Sequence, residues 1–355
     1  MSRKLPFLKV SDLRIYPPII QGGMGVRVSR SGLAAAVANE GAIGVIAGVG
    51  LGKFENRPGK EFIQVNDNAF REEIRKAKKM TTGTIGVNLM VVLSNYENLV
   101  RVADEESVDL IFSGAGLPFD LPGLVNNKAI KLVPIVSSAR AFSVICKKWK
   151  KKYDKFPDAV VVEGSMAGGH VGFSYKDILN DETPALDEIL LEVIDIANSF
   201  DEQIPVIAAG GIFDGKDIAR VINLGASGVQ MGTRFVCTNE CDVHGKFKKA
   251  YLNAKKEDIV IISSPVGMPG RVIKSKFVEE VMRGERTPFV CKFHCLKSCD
   301  SKTAPFCIAK ALSSAAEGNL DEGFVFAGSN AYRCNEIISV KKLISQLIKE
   351  AEENL

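Results

Sequence analysis

Short apolar runs rich in valine and isoleucine recur along the chain, and most are followed by a helix-length segment with apolar residues at helical spacing. Eight runs can be counted: PPIIQGGMG, AIGVIAGVG, TIGVNLMVV, VDLIFSGAG, IKLVPIVSS, AVVVEGSMAGG, IPVIAAGGI and SGVQMGTRFV. Continuous apolar strands separated by crossover helices predict a parallel sheet covered on both faces. Eight such units are the number that closes an α/β TIM (β/α)8 barrel, although an open doubly wound sheet also fits.

The ends of the last two predicted strands favour phosphate binding. The seventh strand is followed by AAGGIFDGKDIARVI and the eighth by QMGTRF. Glycines let backbone N–H groups approach an anion, and a helix N-terminus adds partial positive charge. Because TIM barrels frequently hold phosphate in these two loops, we predict phosphate contacts from Gly210, Gly211, Gly232 and Thr233. The alternative is that these glycines only form tight turns.

Two stretches interrupt the alternation of strands and helices. The first, ENRPGKEFIQVNDNAFREEIRKAKKM, predicts a loop and a charged helix lying outside the barrel. The second, residues 237–320, predicts a small, mainly helical capping domain inserted after the eighth strand. The barrel then comprises residues 1–236 and 321–355, and it ends in a predicted helix with Ser339 as its N-cap.

The composition is that of a globular enzyme, with 46% hydrophobic and 25% charged residues in a chain of 355. The net charge of +4 is small, and the basic run KKWKKKYDK is best interpreted as a solvated helix face, so we expect no nucleic-acid partner. The first residues lack an export signal, and no run of eighteen apolar residues occurs. We therefore expect a cytoplasmic protein with no membrane partner, whose cysteines are mostly reduced.

Several motifs occur in one order between about Pro17 and Cys334. They are PPIIQGGMGVRVSRSGLAAAVANEGAIGVIAGVG, GVNLM, VVVEGSMAGGHVG, IPVIAAGGIFDGKDIARVINLGASGVQMGTRFVCTNEC and, more weakly, GRVIKSKFVE and FVFAGSNAYRC. Together they resemble the flavin-dependent nitronate monooxygenase family, formerly called 2-nitropropane dioxygenases. That family is similar to the FMN-dependent enoyl-acyl-carrier-protein reductases of type II.

The resemblance implies an FMN-dependent oxidoreductase whose cofactor contacts come from several strand ends. By matched position these contacts are Gly23, Met24, Asn88, Gly168, Gly169, Gly211, Gln230, Gly232 and Thr233. His170 matches the family's catalytic histidine, and an imidazole with a pKa of roughly 6.5 can exchange a proton near neutral pH. Met166 departs from the family pattern, which commonly has an acidic residue at this position, as in E-A-G-G-H.

Two activities on small-molecule substrates share such a site. The first is oxidative denitrification of a nitronate, in which His170 abstracts a proton or binds the anion. The second is NADH- or NADPH-dependent reduction of an enoyl thioester, in which His170 protonates or polarises the substrate. The resemblance favours the nitronate activity first, and a barrel that binds a phosphate ligand without flavin is a distant third. A homodimer is compatible with each.

A cysteine-rich segment, residues 291–307, is not part of the family pattern. It places Cys291, Cys295 and Cys299 four residues apart, followed by Cys307. On a helix the first three thiols would share one face, which suits an iron–sulfur cluster or tetrahedral zinc. The spacing matches neither the common ferredoxin motifs nor paired C-x2-C zinc motifs. Three half-buried cysteines of a helical lid explain the pattern equally well.

Overall fold

A computed structural model describes residues 3–52, 60–285 and 289–355, so the loop predicted at 55–59 lies outside the described residues. The strands are β1 Leu8–Val10, β2 Leu13–Ile15, β3 Ile19–Gln21, β4 Gly44–Ala47, β5 Ile85–Met90, β6 Leu110–Gly114, β7 Lys131–Val136, β8 Val160–Glu163, β9 Gly169–His170, β10 Val206–Ala209, β11 Gly228–Met231, β12 Ile259–Ser263, β13 Pro269–Ile273 and β14 Val325–Phe326. The helices are α1 Ser31–Asn39, α2 Lys60–Met80, α3 Tyr96–Glu105, α4 Leu121–Leu124, α5 Ala139–Tyr153, α6 Tyr175–Leu179, α7 Leu186–Asn198, α8 Gly215–Asn223, α9 Thr233–Val236, α10 Gly245–Asn253, α11 Lys276–Met282, α12 Ile308–Ala316 and α13 Val340–Asn354.

The eight predicted strands form one parallel sheet in the order β4, β5, β6, β7, β8, β10, β11, β3. Its first and last strands also meet, because the backbone N–H of Gln21 donates to the carbonyl of Ile43 at 2.9 Å and that of Ile43 donates to Ile19 at 3.0 Å. These bonds close the sheet, and the predicted TIM barrel is confirmed.

Strand β8 illustrates why the strand sequences are continuously apolar. Val160 and Val162 lie in the core between the sheet and the helices, whereas Val161 lies in the core inside the barrel. All three side chains are fully buried. A strand that is covered on both faces needs apolar residues at every position, so its sequence does not alternate.

The predicted charged helix is confirmed as α2, and it packs against α1 and α3 as the crossover between β4 and β5. The predicted closing helix is confirmed as α13, which packs against α8. The Ser339 hydroxyl accepts a hydrogen bond from the backbone N–H of Lys342 at 3.2 Å, as expected of an N-cap. Throughout the described ranges, no helix has both the length and the apolar composition needed to cross a bilayer.

An antiparallel hairpin of β1 and β2, which the sequence patterns did not predict, covers the amino-terminal end of the barrel. Leu8, Val10 and Ile15 join the core inside the barrel. The hairpin comes close to the barrel at Gly228, the first residue of β11, where an added Cβ would lie 3.3 Å from the Leu8 side chain. The hairpin therefore closes the barrel end opposite the carboxyl ends of the strands.

The capping segment after β11 contains three helices, α10, α11 and α12, and the assignment of a mainly helical domain stays a prediction. It also contributes two strands to a sheet that was not predicted, in which β13 pairs antiparallel with β12 and, outside the segment, with β14 and β9. Because β9 belongs to the loop that follows β8, this sheet ties the cap to the barrel. The domain limits at 236/237 and 320/321 stay a prediction.

Replacing Gly44 by alanine is expected to lower the free energy of unfolding by about 1–3 kcal/mol, because α1 lies directly against β4. An added Cβ at this position would lie 1.9 Å from the carbonyl oxygen of Ala34. Gly245→Ala is the matched control, since its Cβ would meet no atom within 4 Å. Denaturant midpoints measure both variants, and equal midpoints would contradict the proposed close contact.

Candidate active site

A cavity of about 270 Å³ lies at the carboxyl ends of the barrel strands, where it is also covered by the cap. It brings together His170 and all ten residues predicted to contact a cofactor: Gly23, Met24, Asn88, Gly168, Gly169, Gly210, Gly211, Gln230, Gly232 and Thr233. The cap contributes apolar groups to the lining, including Val266, Ile308 and Leu312. The chain therefore surrounds one site with strand ends on one side and cap residues on the other.

The loop after β8 packs backbone to backbone against the chain after β14. A Cβ added to Gly168 would lie 2.5 Å from the backbone nitrogen of Gly328, so no larger residue fits there without movement. Gly328 donates its N–H to the Thr233 hydroxyl at 3.1 Å, and the Asn330 amide donates to the Gly211 carbonyl at 2.7 Å. Residues 328–330 thus join the loops after β8, β10 and β11. Their role was not predicted, although they lie in the FVFAGSNAYRC motif.

Gln230 presents an unsatisfied acceptor in this site. Its side-chain oxygen Oε1 is buried and has no hydrogen-bond partner in the described part of the chain. Leaving a buried acceptor unpaired costs about 1–3 kcal/mol, so such an atom indicates a missing donor. Since Gln230 lines the cavity, a ligand N–H placed there would satisfy it.

His170 lies in β9 and is held from the cap. Its Nε2 lies 2.8 Å from the Ser264 hydroxyl, and its ring meets the edge of Phe326 at a centroid distance of 4.9 Å. Burial lowers the pKa of His170 from its usual 6.5 to about 4. The imidazole is therefore neutral at physiological pH, so one ring nitrogen donates a hydrogen bond and the other accepts one.

Glu163, the last residue of β8, is a second titratable group in the cavity wall. Burial raises the pKa of its carboxyl from 4.5 to about 7, and no hydrogen bond to this side chain occurs among the described residues. Sequence reasoning did not single it out. The available signal was an acidic residue at the end of an otherwise apolar strand, next to the glycine-rich GSMAGGH stretch.

The loop between Glu163 and His170 is held by a buried arginine of β13. The Arg271 guanidinium donates to the carbonyl of Ser165 at 2.6 Å and to that of Ala167 at 3.2 Å. Between them, Met166 lines the cavity with a side chain that is 47% exposed, and its carbonyl accepts the N–H of Ser329 at 3.1 Å. At the position where the family commonly has a carboxylate, this chain therefore has an apolar group at the edge of the cavity.

The cysteine segment crosses the mouth of the barrel, but it does not form the helix on which three thiols would share a face. Its backbone pairs with the chain after β5, where Ser94 donates to the carbonyl of Cys295 at 3.1 Å. Cys295 lines the cavity, and burial raises the pKa of its thiol to about 12. In ranges 3–52, 60–285 and 289–355, no group of three or more His, Cys, Asp or Glu is arranged to hold a metal ion.

Comparison with known proteins places this site in a family. The family profile described as nitronate monooxygenase matches residues 8–103 and 92–350. The chain belongs to the nitronate monooxygenase family. It is an oxidoreductase on this evidence, and the family assignment made from the motifs is confirmed.

Three relatives illustrate the range of the family. A probable nitronate monooxygenase of Staphylococcus aureus is 30% identical over 77% of this chain and 79% of its own. An indene-carboxyl-CoA dehydrogenase of Mycobacterium tuberculosis is 29% identical over 77% of this chain and 67% of its own. The solved structure of FabK from Thermotoga maritima is 30% identical and superposes with a TM-score of 0.75, covering 96% of this chain and 94% of that one.

Glu163→Gln is expected to make the ligand-free protein gain stability relative to the wild type as the pH rises from 5 to 8. A carboxyl whose pKa is raised by folding stabilises the folded state at low pH, and this contribution is lost as the pH rises through about 7. The variant has no ionisable group at this position and lacks this loss. Its free energy of unfolding minus that of the wild type should therefore rise by about 1–3 kcal/mol between pH 5 and pH 8. The effect of His170 is present in both proteins and cancels. A pH-independent difference in denaturant midpoints would contradict the buried carboxyl.

Proposed function

We propose that the chain is an FMN-dependent oxidoreductase and that FMN binds in the cavity. The residues present fit this group. The Oε1 of Gln230, which has no partner among the described residues, would accept a ring N–H, and the amide of Asn88 also lines the cavity. Gly211 and Gly232 leave space for a phosphate at the ends of β10 and β11, with Gly210 and Thr233 beside them.

Bound flavin would supply the electron-transfer chemistry, while the chain would supply orientation, exclusion of water and hydrogen bonds to the substrate. Gly168 and Gly169 would allow a flat ring to approach the backbone closely, and Gly23 and Met24 would contact it from the loop after β3. His170 would hydrogen-bond to the substrate from the cap side of the cavity. Its role is that of a neutral imidazole, because burial keeps its pKa near 4.

The low charge of the cavity is the observation that favours one substrate class. His170 is neutral at physiological pH, and Glu163, whose pKa burial raises to about 7, is either uncharged or negative there, so neither group supplies a positive charge. The part of the cap that lines the cavity includes apolar side chains such as Val266 and Leu312. A buried anion needs a charged or hydrogen-bonding partner, whereas a thioester is uncharged at its reacting end. The site therefore supports best the reduction of an enoyl thioester by NADH or NADPH, and the carboxyl-CoA relative supports a thioester ligand.

Oxidation of a nitronate is the second candidate. The family profile and the Staphylococcus aureus relative both carry that name, and it was the first expectation from the motifs. The neutral imidazole of His170 would then hydrogen-bond to a nitronate oxygen. Either substrate would use the same cavity, so the electron donor separates the two activities.

Denatured protein is expected to release FMN, and His170→Ala is expected to retain FMN while turnover falls by about 10²–10⁴-fold.

In anaerobic stopped-flow measurements, NADH or NADPH should bleach the flavin and an enoyl thioester should restore its colour. Bleaching by a nitronate instead would establish the second candidate. A colourless protein would contradict the flavin assignment, and loss of FMN from the His170 variant would make this residue structural.

We also propose that Cys291, Cys295, Cys299 and Cys307 bind an iron–sulfur cluster or zinc. All four are half-buried, and the other three thiols add to the effect of burial in raising the pKa of Cys295, although in the described ranges the four are not arranged as metal ligands. The Cys291 sulfur accepts the N–H of His294 at 3.4 Å, a bond that favours a thiolate ligand.

Protein prepared anaerobically is expected to contain either iron with acid-labile sulfide or zinc without sulfide, and Cys295→Ser should lower the metal content severalfold. Cys146→Ser is the control, because Cys146 is buried in α5 away from this segment. Elemental analysis measures both, and metal-free protein would contradict the proposal.

A further inference from the structure

The hydrogen bond between His170 and Ser264 joins two parts of the chain that are distant in sequence. Ser264 follows β12 in the cap and is only 5% exposed, whereas His170 belongs to β9 in the loop after β8. Gly270 of β13 pairs with His170, and Val171 donates its N–H to the carbonyl of Pro269 at 2.9 Å. The β12–β13 hairpin therefore fixes both partners, and their distance of 2.8 Å is set by backbone pairing.

The hydroxyl of Ser264 has a second bond that limits how it can interact with the imidazole. It accepts a hydrogen bond from the backbone N–H of Val266 at 3.3 Å, and a backbone N–H can only donate. The hydroxyl keeps one hydrogen to donate, and Nε2 of His170 is its one acceptor within the described parts of the chain. The Val266 N–H, the Ser264 hydroxyl and the His170 Nε2 all have a hydrogen-bond partner when the Ser264 O–H donates to Nε2.

An Nε2 that accepts a hydrogen bond leaves the proton of a neutral imidazole on Nδ1. Nδ1 has no partner in the described residues, yet it is absent from the buried unpaired atoms, and His170 lines the cavity. This nitrogen is thus the ring atom that can reach a ligand. The low pKa of His170, about 4 because of burial, keeps the ring in the neutral form to which this reasoning applies.

We propose that Ser264 is a positioning residue that fixes His170 in the Nδ1–H tautomer, so that the neutral imidazole faces the cavity as a hydrogen-bond donor. In this tautomer Nδ1 cannot accept a proton, and His170 polarises a substrate oxygen instead of acting as a base. The catalytic use of this donor rests on the proposed function. The tautomer itself follows from the protein alone.

Nitrogen-15 NMR of histidine-labelled protein tests the tautomer without any substrate. The chain has 3 histidines, and the His170→Gln variant identifies the signals of His170. The wild type should show the proton on Nδ1, Ser264→Ala should show a mixture of both tautomers, and Ser264→Thr should restore the wild-type pattern. Ser263→Ala is the matched control, because Ser263 is the exposed neighbour in β12. A wild-type ring with its proton on Nε2 would overturn the proposal, even if no variant folded.

Turnover gives a second, separate measurement. Ser264→Ala is expected to lower kcat about tenfold, the change that loss of one ordinary hydrogen bond produces, while KM for the electron donor and the FMN content stay unchanged. Ser264→Thr should recover most of kcat. Unchanged kcat in Ser264→Ala with a mixed tautomer would show that the tautomer does not serve catalysis. If neither substrate class is turned over, the proposed function fails, while the NMR result still decides the tautomer.

Discussion

The antiparallel pairing of β9 with β13 is the interaction on which the site depends. It is short, with Gly270 opposite His170 and Arg271 opposite Gly169. Even so, it brings a loop of the barrel against a hairpin of the cap, and each partner then gains further bonds. Arg271 holds the carbonyls of the loop, and Ser264 holds the imidazole. Without this pairing His170 would lie at the end of a glycine-rich loop with no fixed direction.

Burial has opposite effects on the two titratable groups of the cavity wall. It raises the pKa of Glu163 and lowers that of His170, because removal from water disfavours the charged form of each. Both groups are therefore mostly uncharged in the same range below neutral pH. A cavity of this kind interacts with ligands through hydrogen bonds and apolar contact, and the buried amide oxygen of Gln230, which has no partner among the described residues, lines the same cavity.

The barrel was predictable from the chain because each of its strands is covered on both faces. That constraint requires apolar residues at successive positions, as in β8, and the resulting runs are visible without any structure. The elements that were missed carry weaker patterns. Strand β9 has only two residues, one of them a glycine, and the β1–β2 hairpin has strands of three residues each. Such short segments are stabilised by their partners and not by their own sequence preferences.

The cysteine segment shows the opposite failure, because a regular spacing suggested a helix that did not form. Residues 295–297 pair with the chain after β5, and this tertiary contact overrides the periodicity. Spacing along a chain predicts which residues share a face only where the secondary structure is already known.

The sequence by itself determined the barrel, the family and the residues that gather at the carboxyl ends of the strands. The barrel follows from apolar runs, and the family and the site residues follow from short glycine-rich motifs at the strand ends, all of which are properties of local segments. Only the tertiary structure decided that Ser264 bonds to His170, that Glu163 lines the cavity and that residues 328–330 join three loops. The physical reason is that a hydrogen bond or a desolvated charge depends on which distant segments become neighbours, and no local pattern encodes that.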